Sequence, residues 1–255
     1  MFSYFTELNR KRPPVGRLDL VSFTTSALVH AGDDRSVTEG LEALPHIARS
    51  VRSFIAGKPY AVGPSAIAMR DNPYGAAVAD NPQDIRQAMN RNDPRQRSLL
   101  GAAWNLAYFA HFAHGGAESI ALGGLAGPFG VVHSRADWPQ AWYDEGGGLY
   151  PAYHVLRGLG ALRGATLRQV AVSAPRHVQA LAARHGDATA LWLANLTAEP
   201  QRVALDCIDG GRIARLSARS FSKAAEDPDA LANPTDRLDS GAVELGPYEV
   251  VHIRA

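Results

Sequence analysis

Four short polar clusters hold the side chains best able to do chemistry in this 255-residue chain. Glu7-Leu8-Asn9-Arg10 offers a carboxylate that can serve as general base or acid. Asn9 and Arg10 beside it suit the orientation of a polyhydroxylated ligand; the plain alternative is a Glu–Arg pair on a rim. His30-Ala31-Gly32-Asp33-Asp34-Arg35 is the densest titratable group. An imidazole steadied by a carboxylate is a familiar base or oxyanion partner, while Asp33 or Asp34 can bind sugar hydroxyls or simply cap the next helix. A metal site from these three is a weak reading, and no metal or cofactor is expected. In Arg70-Asp71-Asn72-Pro73-Tyr74, Arg70 can hold a carboxylate product or stabilise developing negative charge; the plain alternative is an Asn-Pro turn with an ion pair of little energetic weight. The glycine-rich stretch 123–127 leads into a loop where Trp138 and Trp142 can line a sugar site, whereas Trp104 reads as core.

Each cluster falls just past a segment that reads as a β-strand. Residues 2–8 are aromatic-rich and are predicted as a strand that begins almost at Met1. Leu18 to Thr25, Tyr60 to Ile67 and Glu118 to Leu122 read as three more. Helices separate them. Ser36-Val37-Thr38-Glu39 has the form of a capping box, and Val37, Leu41, Leu44, Ile47, Val51 and Phe54 continue at helical spacing. Pro45 is expected to bend or break that helix and Gly57 to end it. After a long polar loop over 70–92, Asp93-Pro94-Arg95-Gln96 is predicted to open a helix reaching His114. His111 and His114 near its end have no third ligand in sight. Ser65 lies inside its strand without a nucleophile elbow and reads as structural. A last helix covers Tyr150 to Leu162.

Strand ends loaded with polar groups and separated by helices are the pattern of a (β/α)8 barrel, where chemistry sits at the C-terminal ends of the strands. Four such strands make half a barrel, so an incomplete chain is expected. Beyond Arg163-Gly164 the helical period disappears. Short alternating runs (Leu167–Val172, Val178–Arg184, Thr189–Asn195, Gln201–Leu205, Arg212–Ser217 and Glu244–Ile253) predict an antiparallel β-sandwich. The fold class is thus α/β, a partial barrel over 1–164 followed by an all-β unit over 165–255.

Composition narrows the function. Hydrophobic residues make up 46% and charged residues 20%, an ordinary globular balance. A formal net charge of +1 without a basic run argues against a nucleic-acid or membrane partner. Cys207, the lone cysteine, excludes an internal disulfide and any multi-cysteine metal site. The first residues lack the pattern of a secretion signal, and a reducing cytoplasm is the expected location.

Several of these segments together resemble the bacterial D-apionate lactonase family: residues 5–10, 29–36, 63–75, 93–97 and 127–130, then Leu149-Tyr150-Pro151-Ala152-Tyr153-His154-Val155-Leu156-Arg157-Gly158, and the closing Leu245-Gly246-Pro247-Tyr248-Glu249-Val250-Val251. Members of that family hydrolyse D-apionolactone to D-apionate in apiose breakdown. They combine an N-terminal domain, a glycosidase-like TIM barrel and a C-terminal β-domain. The resemblance implies that the four strands are barrel strands 5 to 8, with a sugar lactone as substrate and the preceding half of the enzyme as partner. Retaining glycosidases on this scaffold normally place a catalytic carboxylate on strand 7. Tyr60 to Ile67 contains no Asp or Glu, which weakens a glycoside hydrolase reading; a sugar-binding fragment without catalysis is the third alternative. For the lactonase, Glu7 or His30 is expected to activate water, Arg70 to stabilise the oxyanion, and Asn9, Asp33, Asp34, Asn72 and Trp138 to bind the sugar.

Overall fold

The computed structural model describes residues 4–206, 208, 210–238 and 241–255; Cys207 lies outside them. In chain order the first unit comprises α1 (Phe5–Lys11), β1 (Val21–Phe23), α2 (Asp34–Glu39), α3 (Leu44–Phe54), β2 (Tyr60–Ser65), α4 (Leu99–His114), β3 (Ser119–Leu122), α5 (Tyr143–Gly146) and α6 (Pro151–Ala161). The second comprises β4 (Thr166–Arg168), β5 (Val178–His185), β6 (Ala188–Asn195), β7 (Gln201–Ala204), β8 (Gly211–Leu216), α7 (Phe221–Glu226), β9 (Asp236–Leu238), β10 (Ala242–Leu245) and β11 (Val250–Arg254). No helix among the described residues is long and apolar enough to cross a membrane.

β1, β2 and β3 pair in parallel in that order, and Tyr4 extends the sheet by a single parallel bridge to Thr24. This is the arrangement expected of neighbouring barrel strands. The predicted strand over 2–8 is corrected. Residues 1–3 lie outside the described residues, and a helix begins at Phe5. Glu7 sits in its first turn and Arg10 and Lys11 in its last, so the charges oppose the helix dipole. Leu8 is buried, and the Phe5 ring packs 5.7 Å from Phe23. Helical spacing therefore wins over the aromatic content that suggested a strand.

Two other helix starts differ from expectation. Asp33, not Ser36, caps α2: its carboxylate accepts from Ser36 N at 2.8 Å and Ser36 Oγ at 2.7 Å. Pro45 does mark a break, since a 3-10 turn over Gly40–Ala43 separates α2 from α3. The predicted helix from Asp93 is split into a 3-10 turn (Pro94–Arg97) and α4, because Ser98 takes an extended conformation and caps α4 itself.

The six-stranded antiparallel sheet runs β4-β5-β6-β11-β8-β9, with β7 and β10 forming a separate two-stranded sheet. One face of the large sheet (Val178, Leu191, Leu193, Ile213, Val251, Ile253) meets Leu205, Val243 and Leu245 in the sandwich core. The other face (Leu181, Trp192, Ala194, Leu216, Val250) joins the core of the first unit. That double burial explains why six consecutive residues of β5, Val178 to Ala183, are buried although the segment reads as an alternating run. It also explains α4, whose buried residues Leu100, Ala103, Trp104, Leu106, Ala107 and Tyr108 surround its axis. α6 comes so close to this sheet that a Cβ on Gly158 would stand 2.2 Å from the Trp192 ring.

Several histidines are buried at these seams. His111 is pushed down to about 4 by desolvation and then by His114. Desolvation also lowers His154 and His252. His154 Nε2 donates to Ala224 O at 2.8 Å, and the His252 ring stacks on Trp192 at 4.3 Å. In the unfolded chain these groups take a proton near pH 6.5, before the folded protein does. Stability is therefore expected to fall as pH drops from about 6.5 towards 4. Thermal unfolding followed across that range checks it, and a flat midpoint would refute it.

Candidate active site at the strand ends

The Arg70 guanidinium occupies the C-terminal end of the parallel sheet. β2 ends at Ser65, and the apolar segment Ala66 to Met69 that follows is buried, so the chain delivers Arg70 back across the strand ends. Arg70 Nε donates to Pro64 O at 3.2 Å and Nη2 to Gly123 O at 2.9 Å. Its guanidinium lies 4.1 Å from the centre of the Phe129 ring. No carboxylate pairs with it among the described residues. Carbonyls and a ring fix the group without cancelling its charge, and burial lowers its pKa. It is thus a positioned, uncompensated donor suited to an oxyanion or carboxylate.

Other loops converge on it. The Tyr4 hydroxyl donates to Asp71 O at 2.8 Å, tying the start of α1 to the loop after β2. Asn72 spends its side chain within that loop, its Oδ1 accepting from Tyr74 N at 2.9 Å and its Nδ2 donating to Ala77 O at 2.7 Å. Tyr74 in turn faces His30, with ring centres 6.4 Å apart. The long 70–92 loop is folded back by Met69 N to Asn90 O and Met89 N to Leu28 O, each 2.8 Å. The loop that carries Arg70 and Asn72 therefore meets His30 through Tyr74.

The remaining predicted residues are placed differently. Glu7 lies on α1, where Lys11 at 2.6 Å and Arg10 at 3.4 Å neutralise it; the Lys11 hydrogen bond lowers its pKa. This corrects its expected position at a strand end. Asn9 Oδ1 accepts from Arg12 Nη2 at 3.4 Å. Asp33 serves as the α2 cap, its pKa lowered first by the Ser36 hydroxyl. Asp34 is engaged by Arg86 at 2.7 Å and Arg95 at 3.3 Å. Trp138 is half-buried, and its indole N–H has no partner among the described residues. Trp142 is 43% exposed and meets Phe221 edge-on. Among the described residues no three His, Cys, Asp or Glu side chains gather as a metal site.

Beneath the site runs a chain of hydroxyls that sequence reading missed. Thr24 Oγ1 and Ser65 Oγ are 2.9 Å apart, Ser65 Oγ and the Tyr108 hydroxyl 2.7 Å, and the Tyr108 hydroxyl and Thr25 Oγ1 2.8 Å. Ser65 is structural, as expected. Desolvation pushes Tyr108 up to about 12, so it stays a neutral donor. Residues this far apart in the chain give no local signal; the pairing of β1 with β2 and the packing of α4 against them bring the four hydroxyls together. Tyr108→Phe removes the central member and is expected to destabilise the protein by about 1–3 kcal/mol. A denaturant midpoint equal to that of the parent would show that the chain has no energetic role.

Residues 1–164 match the D-apionate lactonase TIM barrel domain, and residues 175–253 match the D-apionate lactonase C-terminal immunoglobulin-like domain. The chain is 39% identical over 233 residues to a D-apionate lactonase from Brucella anthropi, which covers 91% of this chain and 35% of that protein. Two solved structures share the fold. A 4-O-α-L-rhamnosyl-β-D-glucuronidase from Fusarium oxysporum 12S has a TM-score of 0.55 at 12% identity, over 99% of this chain and 57% of that one. A bifunctional glucanase-xylanase from a metagenome library has a TM-score of 0.53 at 15% identity, over 98% and 46%. The parallel β/α unit is TIM-barrel structure, the antiparallel unit is immunoglobulin-like, and the chain belongs to the D-apionate lactonase family.

Proposed function

We propose that this chain takes part in hydrolysing a sugar lactone, D-apionolactone to D-apionate, in apiose catabolism. Family membership supports the reaction class, and the observation that carries the site is the uncompensated Arg70 guanidinium at the strand ends. Water adds to the lactone carbonyl and a base takes its proton. Arg70 faces the oxygen that becomes negative in the tetrahedral intermediate. Collapse of that intermediate breaks the bond to the ring oxygen, which takes the proton back from the base and leaves as an alcohol; the new carboxylic acid gives its proton to solvent, and the same guanidinium can hold the carboxylate.

His30 and Glu7 are the proposed bases. His30 stands beside the Arg70 loop through Tyr74, whereas the Glu7 carboxylate is already held by Lys11. Asn9, Asn72 and Trp138 remain proposed sugar contacts. β2 carries no carboxylate, so the paired-carboxylate chemistry of a glycosidase lacks support here.

The test is acid release from D-apionolactone at constant pH. One equivalent of acid per lactone supports the reading. Cleavage of aryl glycosides without lactone hydrolysis, or sugar binding without turnover, would replace it. His30→Ala and Glu7→Gln then identify the base, since losing that group is expected to slow turnover about 100-fold.

A further inference from the structure

A cavity of about 510 Å³ lies where the loops after β1 and β2 and the start of α4 meet the antiparallel unit. Its floor is charged. Asp34 pairs with Arg86 and Arg95, and Asp84 pairs with Arg97. Arg95 and Arg97 are both more than nine-tenths buried. Arg97 gives only Nη2 to a side-chain acceptor, so its Nε and Nη1 have no hydrogen-bond partner among the described residues.

The walls are aromatic, formed by Tyr143, Phe221 and Tyr248. Tyr248 sits at φ +52°, in the left-handed region that a residue with a Cβ seldom adopts. Such strain persists only where the surroundings hold it, and it gathers at binding sites. Its backbone N–H donates to Thr197 O at 3.0 Å. Its phenol has no hydrogen-bond partner among the described residues, although it lies near enough to Asp34 that burial, and then that carboxylate, raise its pKa.

The charges decide the ligand class. The guanidiniums of Arg86, Arg95 and Arg97 are matched by the carboxylates of Asp34, Asp84 and Asp93, the last gripping Arg95 from outside the cavity. With its charges matched, the site has no excess of either sign to select an ion. It still presents free N–H donors, carboxylate lone pairs and ring faces. Those are the donors, acceptors and stacking surfaces that a neutral polyol uses. The volume falls within the ~300–1,000 Å³ range of small-molecule sites.

We infer that this junction cavity binds a neutral sugar, held between Arg97 and Tyr248, at a site separate from Arg70. A ligand there touches the first unit through Asp34 and the second through Tyr248 and Phe221, so it stabilises their junction.

The experiment is isothermal titration and thermal unfolding of the full chain with D-xylose, D-glucose and cellobiose, against sodium D-gluconate as the anionic control. At least one neutral sugar is expected to bind and raise the unfolding midpoint. Tyr248→Gly removes the ring, so it is expected to weaken binding about tenfold or more; relief of the left-handed backbone offsets part of the packing that the ring gives up, and the ligand-free protein is expected to stay folded. Arg70→Ala is expected to bind the sugar as the parent does. Absence of neutral-sugar binding, tighter binding of gluconate, unchanged binding in Tyr248→Gly, or loss of binding in Arg70→Ala would each overturn the inference. None of these readouts depends on lactone turnover, so it fails or survives independently of the proposed reaction.

Discussion

Arg70→Ala is expected to lower lactone turnover about 100-fold or more, the usual effect of removing one oxyanion donor. The loss should fall on kcat rather than on KM, because a neutral lactone carbonyl needs the guanidinium far less than the tetrahedral oxyanion does. Arg70→Lys is expected to recover little. A lysine ammonium cannot bridge Pro64 O and Gly123 O and also lie flat on Phe129, so its charge would not be fixed in place. The control is thermal unfolding: the fold does not depend on Arg70 for charge balance, so the midpoint should shift little. Near-normal kcat in Arg70→Ala, with the fold intact, would remove Arg70 from the mechanism.

Asp93→Ala is expected to destabilise the protein by about 3–5 kcal/mol, the scale for leaving a buried charge without its partner. Asp93 is fully buried, and Arg95 is only 2% exposed. The carboxylate accepts from Arg95 Nε at 2.8 Å, Arg95 Nη2 at 2.7 Å and Arg95 N at 2.9 Å, and also from Asn90 Nδ2 at 3.2 Å. Without it Arg95 keeps only the longer contact to Asp34, and the turn leading into α4 loses its cap. Denaturant unfolding measures the change through the midpoint. A loss below about 1 kcal/mol would mean that Asp34 and solvent suffice for Arg95.

Much of the architecture could be read from periodicity, because a helix or strand packed on one side leaves a one-sided pattern. α3 and most strands of the antiparallel unit are of this kind. Where burial is two-sided the pattern fades, as in α4, and there only length distinguishes strand from helix. β9 is three residues long and gives no alternating run in the sequence, and residues 2–8 misled because aromatic rings serve a packed helix as readily as a strand. Of the candidate site, chain order makes legible only the placement: Arg70, Asn72 and His30 sit in loops that follow parallel strands and so lie at one end of the sheet. Asp33 and Asp34 looked similar in sequence but were claimed by a helix cap and by two arginines. The fate of Asp34 depended on Arg86 and Arg95, more than 50 positions along the chain, which no local spacing reveals.

α4 has no solvent-facing stripe on which sequence can drift freely, since the parallel sheet borders one side and the six-stranded sheet the other. A change on this helix must satisfy two surfaces that belong to different units. Grafting the C-terminal unit of a relative onto this barrel segment should therefore fail to give a folded chimera if the junction is cut at residue 164. It should succeed when α4 and α6 are exchanged with it, together with the Gly158 that admits Trp192. The packing unit in this architecture is the six-stranded sheet with the helices bedded on it, and it crosses the boundary at residue 164.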